Sequence, residues 1–447
     1  MTSTVRRAGA FALVGALSLA VPLMDRLFSR PVATVAAGAP FLAIAAVALA
    51  LSDDSAIFEL FARPGDRRDG RLYGLAGFAL AIAVLSAFGT YAGLSIPAFV
   101  ASVIVLSGGN LAAHAARDRG VEPFGAMTAF VAGSLLAGTG GYLAAAAILN
   151  HPTALPRVVF LAATGALIGA LVRSMLFERD DPVVLLAISL LLWLFADLSI
   201  AVSATGITAA LAVTIALGYV SYALETASIP GMLTGVLLSL LTLVVGDVGW
   251  FAMLITFFGL GGLSAKLRYD RKVKRGIAEP NEGARGSGNV LANSVVALFA
   301  VIAHAASPRM GAVPEGLFLF VFSGAVAAAM SDTLSSEIGG LYDDPRLITT
   351  FEVVEPGTDG GVTWQGELAG LSGAALIAGI GAVAFDLGAV GIGVVVAAGL
   401  VGMTVDSVLG ATVEGGFVGN QGVNFLATLV AGLAAGVLAI TTGTIAV

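Results

Sequence analysis

The sequence predicts an all-α, polytopic transmembrane helical bundle of about 15 spans, within a range of roughly 13 to 17. Hydrophobic residues make up 58% of the 447 residues and charged residues only 11%, which leaves too little polar surface for a water-soluble globule of this size. Apolar windows of roughly 17 to 25 residues recur from end to end, and each can cross the hydrocarbon core as a helix. A transmembrane barrel is excluded because its strands would alternate polar and apolar positions.

The first block, residues 1–177, is predicted to contain six spans. Its first apolar run, Ala8 to Met24, follows Arg6 and Arg7 and could pass for a signal peptide. We predict a retained helix, because many spans follow and no convincing small-residue cleavage site ends the run. The six spans are placed at 8–24, 34–51, 72–92, 95–113, 124–149 and 157–177.

The second block, residues 178–447, is predicted to contain about nine helices and to be the functional domain. Three polar loops, 266–288, 331–362 and 411–421, interrupt its apolar runs. The nine spans are placed at 183–201, 204–222, 230–247, 249–265, 289–308, 313–330, 363–386, 388–411 and 421–446.

The distribution of Arg and Lys predicts the orientation. Loops 52–71, 114–123 and 266–288 hold most of these residues and fall on the same side as Arg6 and Arg7 when the spans are counted. Positive charge accumulates in cytoplasmic loops. We therefore expect an integral protein of the cytoplasmic membrane, with its N-terminus and its three polar loops on the cytoplasmic face.

The amino-acid composition also argues against several kinds of site and partner. The chain has no cysteine, which excludes disulfides, thiolate metal sites and a cysteine nucleophile. The formal net charge is −7, and this acidity argues against nucleic acid as a partner.

The stretch from Ser331 to Gly370 is acidic and glycine-rich, between apolar runs. Asp332 and Glu337 begin it directly after the run VFSGAVAAAM. Carboxylates beside a bilayer need a partner or a cation, and hard oxygen ligands suit Mg²⁺. The competing interpretation is that Ser331 or Asp332 caps a helix.

The segment EPGTDGGVTWQGELAG is a candidate phosphate-binding loop. Glycine-rich turns let backbone amides approach phosphate oxygens, and here the turn leads directly into a helix. It is not a P-loop, because the lysine and the required spacing are missing. The candidate residues are Gly357, Thr358, Asp359, Gly360 and Gly361.

Amides and one further acid complete the set of polar candidates. Arg285, Asn289 and Asn293 repeat at four-residue spacing and would form one stripe at a helix N-terminus, where an anion is favoured. The alternative is that the basic residues of this loop only set topology. Asp406 lies within an apolar helix, where an unpaired carboxylate costs several kcal/mol, and Asn424 shares a face of the last helix with Asn420.

Five ordered motifs resemble the integral membrane family called domain of unknown function 92, which includes transmembrane protein 19 and plant phytyl-phosphate kinase. The similarity covers roughly residues 183 to 447. A more distant similarity is to CTP-dependent polyprenol, dolichol and phytol kinases, which carry a basic pair before a Glu-Gly element where this sequence reads GGVTWQGELAG. The five motifs are NVLANS, SDTLSSEIGG followed by PRLITT, PGTDGGVTWQGELAG, VDSVLGATVE and NQGVNFLAT.

The resemblance implies a membrane isoprenoid-phosphate kinase that transfers a phosphoryl group from a nucleoside triphosphate, CTP or another, to a phytyl or geranylgeranyl type monophosphate. Its partners would be the bilayer, the lipid phosphate and the nucleotide. Asp332, Glu337 and Asp406 would hold Mg²⁺, and Asp332, Asp406 and Arg285 would be catalytic. The nucleotide or phosphate ligands would be Arg285, Asn289, Asn293, Asn424 and the residues from Gly357 to Gly361.

Two other functions remain open from the sequence. A secondary transporter or lipid flippase would also have many spans and intramembrane Asp and Asn residues. We prefer the enzyme because the polar motifs crowd one face, whereas a transporter's site usually lies near the midplane. A scaffold that has lost catalysis is the third hypothesis. It is indicated only by the absence, at GGVTWQGELAG, of the basic pair that the distant kinases carry.

Overall fold

The computed structural model describes residues 4–176, 180–198, 200–278, 286–311, 313–416 and 418–446. The chain forms two compact units, Met1–Ala209 and Ala210–Val447. The boundary between the two units falls within the helix Ala204–Ala223.

The first unit is built from helices that pack around α7. Helices α1, α8, α9 and α10 all contact α7. A 3-10 helix, Leu17–Ala20, joins the first two helices. The helices of this unit are α1 (Thr4–Ala16), α2 (Val21–Leu27), α3 (Arg30–Ala50), α4 (Ala56–Phe61), α5 (Pro64–Asp69), α6 (Tyr73–Ala92), α7 (Ile96–Asp118), α8 (Pro123–Ile148), α9 (Leu155–Met175) and α10 (Asp181–Asp197).

Small residues allow α7 and α8 to pack closely. A Cβ atom added to Gly109 would lie 2.1 Å from the Ser134 Oγ, and that hydroxyl donates to the Val105 carbonyl at 2.9 Å. Without a hydrophobic driving force between helices in lipid, such close contacts and interhelical hydrogen bonds are what hold a bundle together.

Helix α10 belongs to the first unit, whereas the hydropathy pattern predicts its segment as the start of the second block. The reason is the Asp181 side chain, which is 1% exposed. Its carboxylate forms ion pairs with Arg63 and with Arg173, the latter at 2.9 Å. Both arginines precede residue 177, so these buried ion pairs attach α10 to the N-terminal helices.

The second unit holds the remaining helices and one short pair of strands. The strands are antiparallel, with Arg346 opposite Val362. A 3-10 helix, Ser307–Arg309, extends one of the helices. The elements are α11 (Ala204–Ala223), α12 (Ile229–Val245), α13 (Val248–Lys266), α14 (Tyr269–Arg275), α15 (Ser287–Ala306), α16 (Leu317–Gly339), β1 (Arg346–Leu347), β2 (Gly361–Val362), α17 (Trp364–Phe385), α18 (Ala389–Thr412) and α19 (Asn420–Thr441).

Helix α16 lies at the centre of the second unit. It contacts α13, α15, α17, α18 and α19. The α18 contact is tight, because a Cβ atom on Gly402 would lie 2.3 Å from the Ala328 Cβ. The polar C-terminal turns of α16 are therefore surrounded by the ends of the neighbouring helices.

The polytopic helical bundle predicted from the sequence is confirmed. Among the described residues, 13 helices are long and apolar enough to cross a membrane, with α1 and α2 counted together as one. Two further 17-residue helices, α10 and α12, occupy the other two predicted positions. Every predicted span therefore corresponds to a helix.

The predicted loop 331–362 is wrong at its start, because α16 continues to Gly339 instead of ending at residue 330. Ser331 is fully buried inside the helix and donates to the Gly370 carbonyl at 2.9 Å. Neither Ser331 nor Asp332 is a helix cap. The helix continues because its polar residues face other helices and a cavity instead of lipid. The predicted loop 266–288 likewise contains a short helix, Tyr269–Arg275.

Candidate functional site

A polar cavity of about 340 Å³ lies at one end of the second unit. Helices α16 and α18 end there, and α15, α17 and α19 begin there. Arg285 lies outside the described residues, so its predicted role stays a prediction. The cavity brings together the other residues predicted from the sequence, namely Asn289, Asn293, Asp332, Glu337, Gly357, Thr358, Asp359, Gly360, Gly361, Asp406 and Asn424.

Two aspartates from neighbouring helices form the acidic centre of the cavity. The side chains of Asp332 on α16 and Asp406 on α18 are in hydrogen-bond contact. The Asp406 Oδ1 is buried and has no hydrogen-bond partner. Buried polar atoms nearly always have partners, and two carboxylates this close repel each other unless a proton or a cation lies between them. Either a shared proton or a cation would relieve the repulsion within the acid pair.

The donor set of the acid pair fits a hard divalent cation. Carboxylate oxygens are the ligands that Mg²⁺ prefers, and Mg²⁺ commonly takes one or two protein carboxylates and completes its shell with water and substrate phosphates. Among the described residues, no three acidic or histidine side chains converge as a metal cluster. A cation here would be held by Asp332 and Asp406, with the remaining ligands supplied by the substrate or water.

Glu337 lines the same cavity but forms an ion pair with Lys272, so its predicted role as a third Mg²⁺ ligand stays a prediction. Its carboxylate, 9% exposed, is 2.5 Å from the Lys272 Nζ. Lys272 is 1% exposed, and its Nζ also donates to the carbonyls of Ser264 at 2.7 Å and Ala265 at 3.3 Å. The lysine thus connects the end of α13 to α16, and the pair supports one wall of the cavity.

Two helix N-termini lie side by side at the cavity. The N-cap residues of α15 and α19 are Gly286 and Gly419, and neither provides a side-chain cap. A Cβ atom on Gly288 would lie 2.4 Å from the Gln421 Nε2, so the two first turns are in contact. In contrast, α17 is capped by Thr363, whose hydroxyl accepts from the Gly366 N–H at 3.2 Å. Uncapped N-termini offer backbone donors and a positive dipole to an anion.

Asparagine side chains line the cavity beside these two N-termini. Asn293 is 4% exposed, and its Nδ2 donates to the Asn289 carbonyl at 3.0 Å. The Asn289 Oδ1 is buried without a partner. On α19, the Asn424 Nδ2 is 3.4 Å from the Asn420 Oδ1. The cavity therefore combines amide side chains and helix N-termini with the acid pair in one lining.

The glycine-rich loop closes the cavity by packing directly on α18. Gly360 has a φ of +77°, and a Cβ atom there would lie 2.5 Å from the Ala411 Cβ and 2.6 Å from the Ser407 carbonyl oxygen. Gly357 has a φ of +88° and faces Ile277. Only glycine satisfies both the backbone angle and the contact at these positions.

We expect Gly360→Ala to lower stability and to displace the loop from α18. The left-handed backbone alone costs an alanine about 1–2 kcal/mol, and the contact with Ala411 adds to this. Gly415→Ala is the matched control, because Gly415 has a φ of +76° with open space around its Cβ position. Thermal denaturation in detergent should show a larger loss for Gly360→Ala. Equal losses would contradict the packing of the loop on α18.

Glu414 lies in the turn after α18 and borders the same cavity. Burial is the main cause that raises the pKa of its carboxyl above the usual 4.5, and the negative charge of Asp359 adds to it, while a hydrogen bond from Asn420 acts the other way. The folded protein thus keeps this proton at a pH where the unfolded chain has lost it.

This raised pKa predicts a specific dependence of stability on pH. The stabilisation contributed by protonated Glu414 is complete below 4.5 and is lost as the pH rises through the raised value. We expect Glu414→Gln to remove this component, so that the melting temperature of the variant falls less than that of the wild type over the same pH range. Parallel curves for the two proteins would contradict the assignment.

Lys272 was missed by sequence reasoning, because it lies among the basic residues of a loop whose charges also set topology. Its pairing with Glu337 spans 65 residues of sequence, and no local pattern signals it. Glu414 and Asn420 were visible as polar residues near Asp406, but nothing in their spacing indicated that a turn returns them to the acid pair.

The fold and the site define a class, a polytopic helical membrane protein with a polar cavity, lined by an acid pair and by glycine and asparagine residues, at one end of its C-terminal unit. The sequence profile of the family described as Integral membrane protein DUF92 matches residues 212–432. These residues lie within the second unit. The chain belongs to this family of integral membrane proteins, as the sequence motifs predicted.

Three curated relatives illustrate the extent of the similarity. An uncharacterized membrane protein of Methanocaldococcus jannaschii is 40% identical over 188 residues, covering 41% of this chain and 74% of the relative. Protein VTE6, chloroplastic, of Arabidopsis thaliana is 32% identical over 156 residues, covering 34% and 46% respectively. Protein PGR of Arabidopsis thaliana is 30% identical over 216 residues, covering 43% and 74%. No solved structure matches the chain.

Proposed function

We propose that the second unit is an isoprenoid-phosphate kinase, which transfers a phosphoryl group from a nucleoside triphosphate to a prenyl monophosphate. The observation that carries the proposal is the arrangement of opposite charges in one cavity. An acid pair with an unpartnered buried oxygen lines the same cavity as the first turns of two helices that lack side-chain caps. A magnesium-bound polyphosphate has the complementary arrangement, with a cation at one side and anionic oxygens at the other.

The acid pair is the proposed cation site. Asp332 and Asp406 would hold Mg²⁺, and the unpartnered Asp406 Oδ1 would gain a ligand bond. A bound Mg²⁺ would neutralise charge that develops on the transferring phosphoryl group. The two carboxylates are held close to each other, because α16 and α18, which carry them, pack tightly where Gly402 contacts Ala328.

The helix N-termini are the proposed phosphate site. Backbone N–H groups of α15 and α19 and the amides of Asn289, Asn293 and Asn424 would donate to phosphate oxygens. Arg285, immediately before the N-cap Gly286, keeps its proposed role as an additional phosphate ligand and as a catalytic cation. The loop from Gly357 to Gly361, including Thr358 and Asp359, would border the nucleotide.

A phosphate acceptor suits this cavity better than an alcohol acceptor. The nucleophile would be an oxygen of the prenyl monophosphate, which already carries most of its negative charge near pH 7 because its second pKa is about 6. A new P–O bond forms to the terminal phosphorus of the nucleotide, and the bond to the bridging oxygen breaks, which yields a prenyl diphosphate and a nucleoside diphosphate. Positioning and charge neutralisation are the main requirements for such a transfer.

The proposal includes a location for the reaction. The basic residues of α14, which include Lys272 and Arg275, lie at the same end as the cavity. Positive charge favours the cytoplasmic side, where nucleotides are found. We therefore place the catalytic end of the bundle on the cytoplasmic face of the membrane.

A mass-spectrometric screen of the purified full-length protein tests the proposed function. Prenyl alcohols and prenyl monophosphates would each be incubated with CTP, UTP, ATP or GTP and magnesium. We expect diphosphate from at least one monophosphate and no monophosphate from the alcohols. Absence of any phosphorylated product, together with nucleotide-independent flux of prenyl phosphate in proteoliposomes, would favour a transporter and overturn the kinase assignment.

A further inference from the structure

A second, apolar cleft of about 300 Å³ lies beside the polar cavity within the second unit. It is lined by the end of α11, the start of α12 and the second half of α13, and Val290 of α15 also borders it. Val220, Leu224 and Leu263 on its rim are 48%, 54% and 57% exposed. The cleft is therefore an apolar groove that opens away from the protein interior.

The cleft and the polar cavity share helix α15, and α13 borders the cleft and contacts a residue of the cavity. On α15, Val290 borders the cleft, and its neighbours Asn289 and Asn293 border the cavity. On α13, Leu263 borders the cleft, and the next residue, Ser264, accepts a hydrogen bond from Lys272, which lines the cavity. The cavity and the cleft therefore adjoin along the first turns of α15. A molecule with its phosphate in the cavity could extend an apolar chain past these turns into the cleft.

Glycines create the width of the cleft. Gly235 on α12 and Gly259 on α13 both line it, and a Cβ atom added at either position would meet nothing within 4 Å. The hydroxyls that border the cleft already have partners in the protein, since Ser221 bonds with Thr226 at 3.1 Å and Ser239 donates to the Gly235 carbonyl at 2.8 Å. The open space is suited to hydrocarbon.

We propose that this cleft binds the isoprenoid chain of the substrate whose phosphate occupies the polar cavity, an inference that rests on the proposed kinase function. The cleft then determines the chain length that the enzyme accepts. Burial of the chain lowers the free energy of binding in proportion to the apolar area removed from the solvent, and the adjacent cavity selects a chain that carries a phosphate.

The other large apolar groove of the second unit is less suitable. It has a volume of about 810 Å³ and lies between Asp247 at the start of α13 and Ala384 at the end of α17. The polar cavity lies at the opposite ends of these helices, since Thr363 at the start of α17 lines it and Ser264 near the end of α13 accepts a hydrogen bond from its lining residue Lys272. Gly379 lines this distant groove, and a Cβ atom there would also meet nothing within 4 Å. It therefore offers a matched control.

The test compares Gly235→Leu and Gly259→Leu with Gly379→Leu in the full-length protein. Activity is measured with geranyl, farnesyl, geranylgeranyl and phytyl monophosphates. We expect a leucine in the cleft to lower kcat/KM for the longest chains by roughly tenfold or more relative to geranyl monophosphate. Gly379→Leu should leave the ratio at the wild-type value. Unchanged ratios in both cleft variants would overturn the proposal.

A measurement that does not require turnover separates the two proposals. A farnesyl monophosphate with a diazirine on its terminal isoprene unit is photolysed with the protein, and the labelled peptides are mapped. We expect labelling of the cleft at Val236 and Phe258, with competition by unlabelled prenyl monophosphate but not by phosphatidylglycerol.

Each outcome of the labelling experiment has a separate meaning. Competed labelling of the cleft without any diphosphate product would support the cleft and contradict the kinase. Diphosphate production with labelling elsewhere would support the kinase and overturn the cleft. Labelling that prenyl monophosphate does not compete would show that only bulk membrane lipid occupies the cleft, and it would also overturn the proposal.

Discussion

Asp332→Asn and Asp406→Asn should each lower kcat for phosphoryl transfer by roughly 10²–10³-fold, the range expected when a group that stabilises transition-state charge is lost. Each substitution removes one carboxylate from the acid pair while preserving its shape. The remaining carboxylate binds a divalent cation less well. We therefore also expect the magnesium concentration required for half-maximal activity to rise, as measured by steady-state kinetics over a magnesium titration.

Asp386→Asn is the matched control for these variants. Asp386 terminates α17 at the end remote from Thr363, in the left-handed conformation with a φ of 53°, which asparagine also adopts readily. This variant should retain wild-type activity and magnesium dependence. If the variants of Asp332 and Asp406 matched the Asp386 control, the acid pair would have no role in catalysis.

Lys272→Met should lower the free energy of unfolding by about 3–5 kcal/mol, the usual effect of removing one partner of a buried ion pair. The substitution leaves the Glu337 carboxylate, 9% exposed, without its counterion, and it also removes donors from the Ser264 and Ala265 carbonyls. Unfolding in detergent by denaturant titration measures the change.

A second substitution distinguishes a structural ion pair from a metal ligand. Lys272→Met combined with Glu337→Gln should recover part of the lost stability, because the buried charge is then removed. Glu337→Gln alone should leave the magnesium dependence of activity unchanged. A rise in the magnesium requirement, like that expected for Asp406→Asn, would instead support the prediction that Glu337 is a metal ligand. Arg67→Met, which breaks the exposed pair with Glu59, should change stability little.

The helices could be predicted from the sequence because each requirement is local. A span needs a continuous apolar run of sufficient length, and all 15 predicted runs are helices. The end of α16 was not predictable in this way. Ser331 and Asp332 look like the start of a polar loop, but Ser331 is buried against Gly370 and the helix continues. Hydropathy registers polarity, and it does not distinguish a residue exposed to water from one that faces a neighbouring helix.

The sequence predicts most of the residues that line the site, but it does not predict which of them contact each other. Asp332, Asp406 and the glycine-rich loop stand out because polar residues are costly beside lipid, and the structure brings them to one cavity. Contacts between residues distant in sequence, such as Lys272 with Glu337, depend on how the helices pack. The limit between the two compact units depends on such contacts too, since Asp181 joins the first unit through Arg63 and Arg173.

Negative and positive groups meet in the cavity because some helices end there and others begin there. Helices that end at the cavity bring the acids of α16 and α18, and helices that begin there bring the positive ends of the α15 and α19 dipoles. Antiparallel packing of the helices makes this alternation possible. The glycine contacts at Gly288 and Gly360 then hold the two first turns and the loop in place.

The most direct test is a transfer assay with nucleoside triphosphate labelled at the terminal phosphoryl group. Purified wild-type protein is incubated with magnesium, the labelled nucleotide and geranylgeranyl or phytyl monophosphate, and the lipid products are separated. We expect labelled prenyl diphosphate from the wild type and from Asp386→Asn, and almost none from Asp406→Asn. Absence of labelled diphosphate with every nucleotide, or equal labelling by Asp406→Asn, would contradict the proposed function.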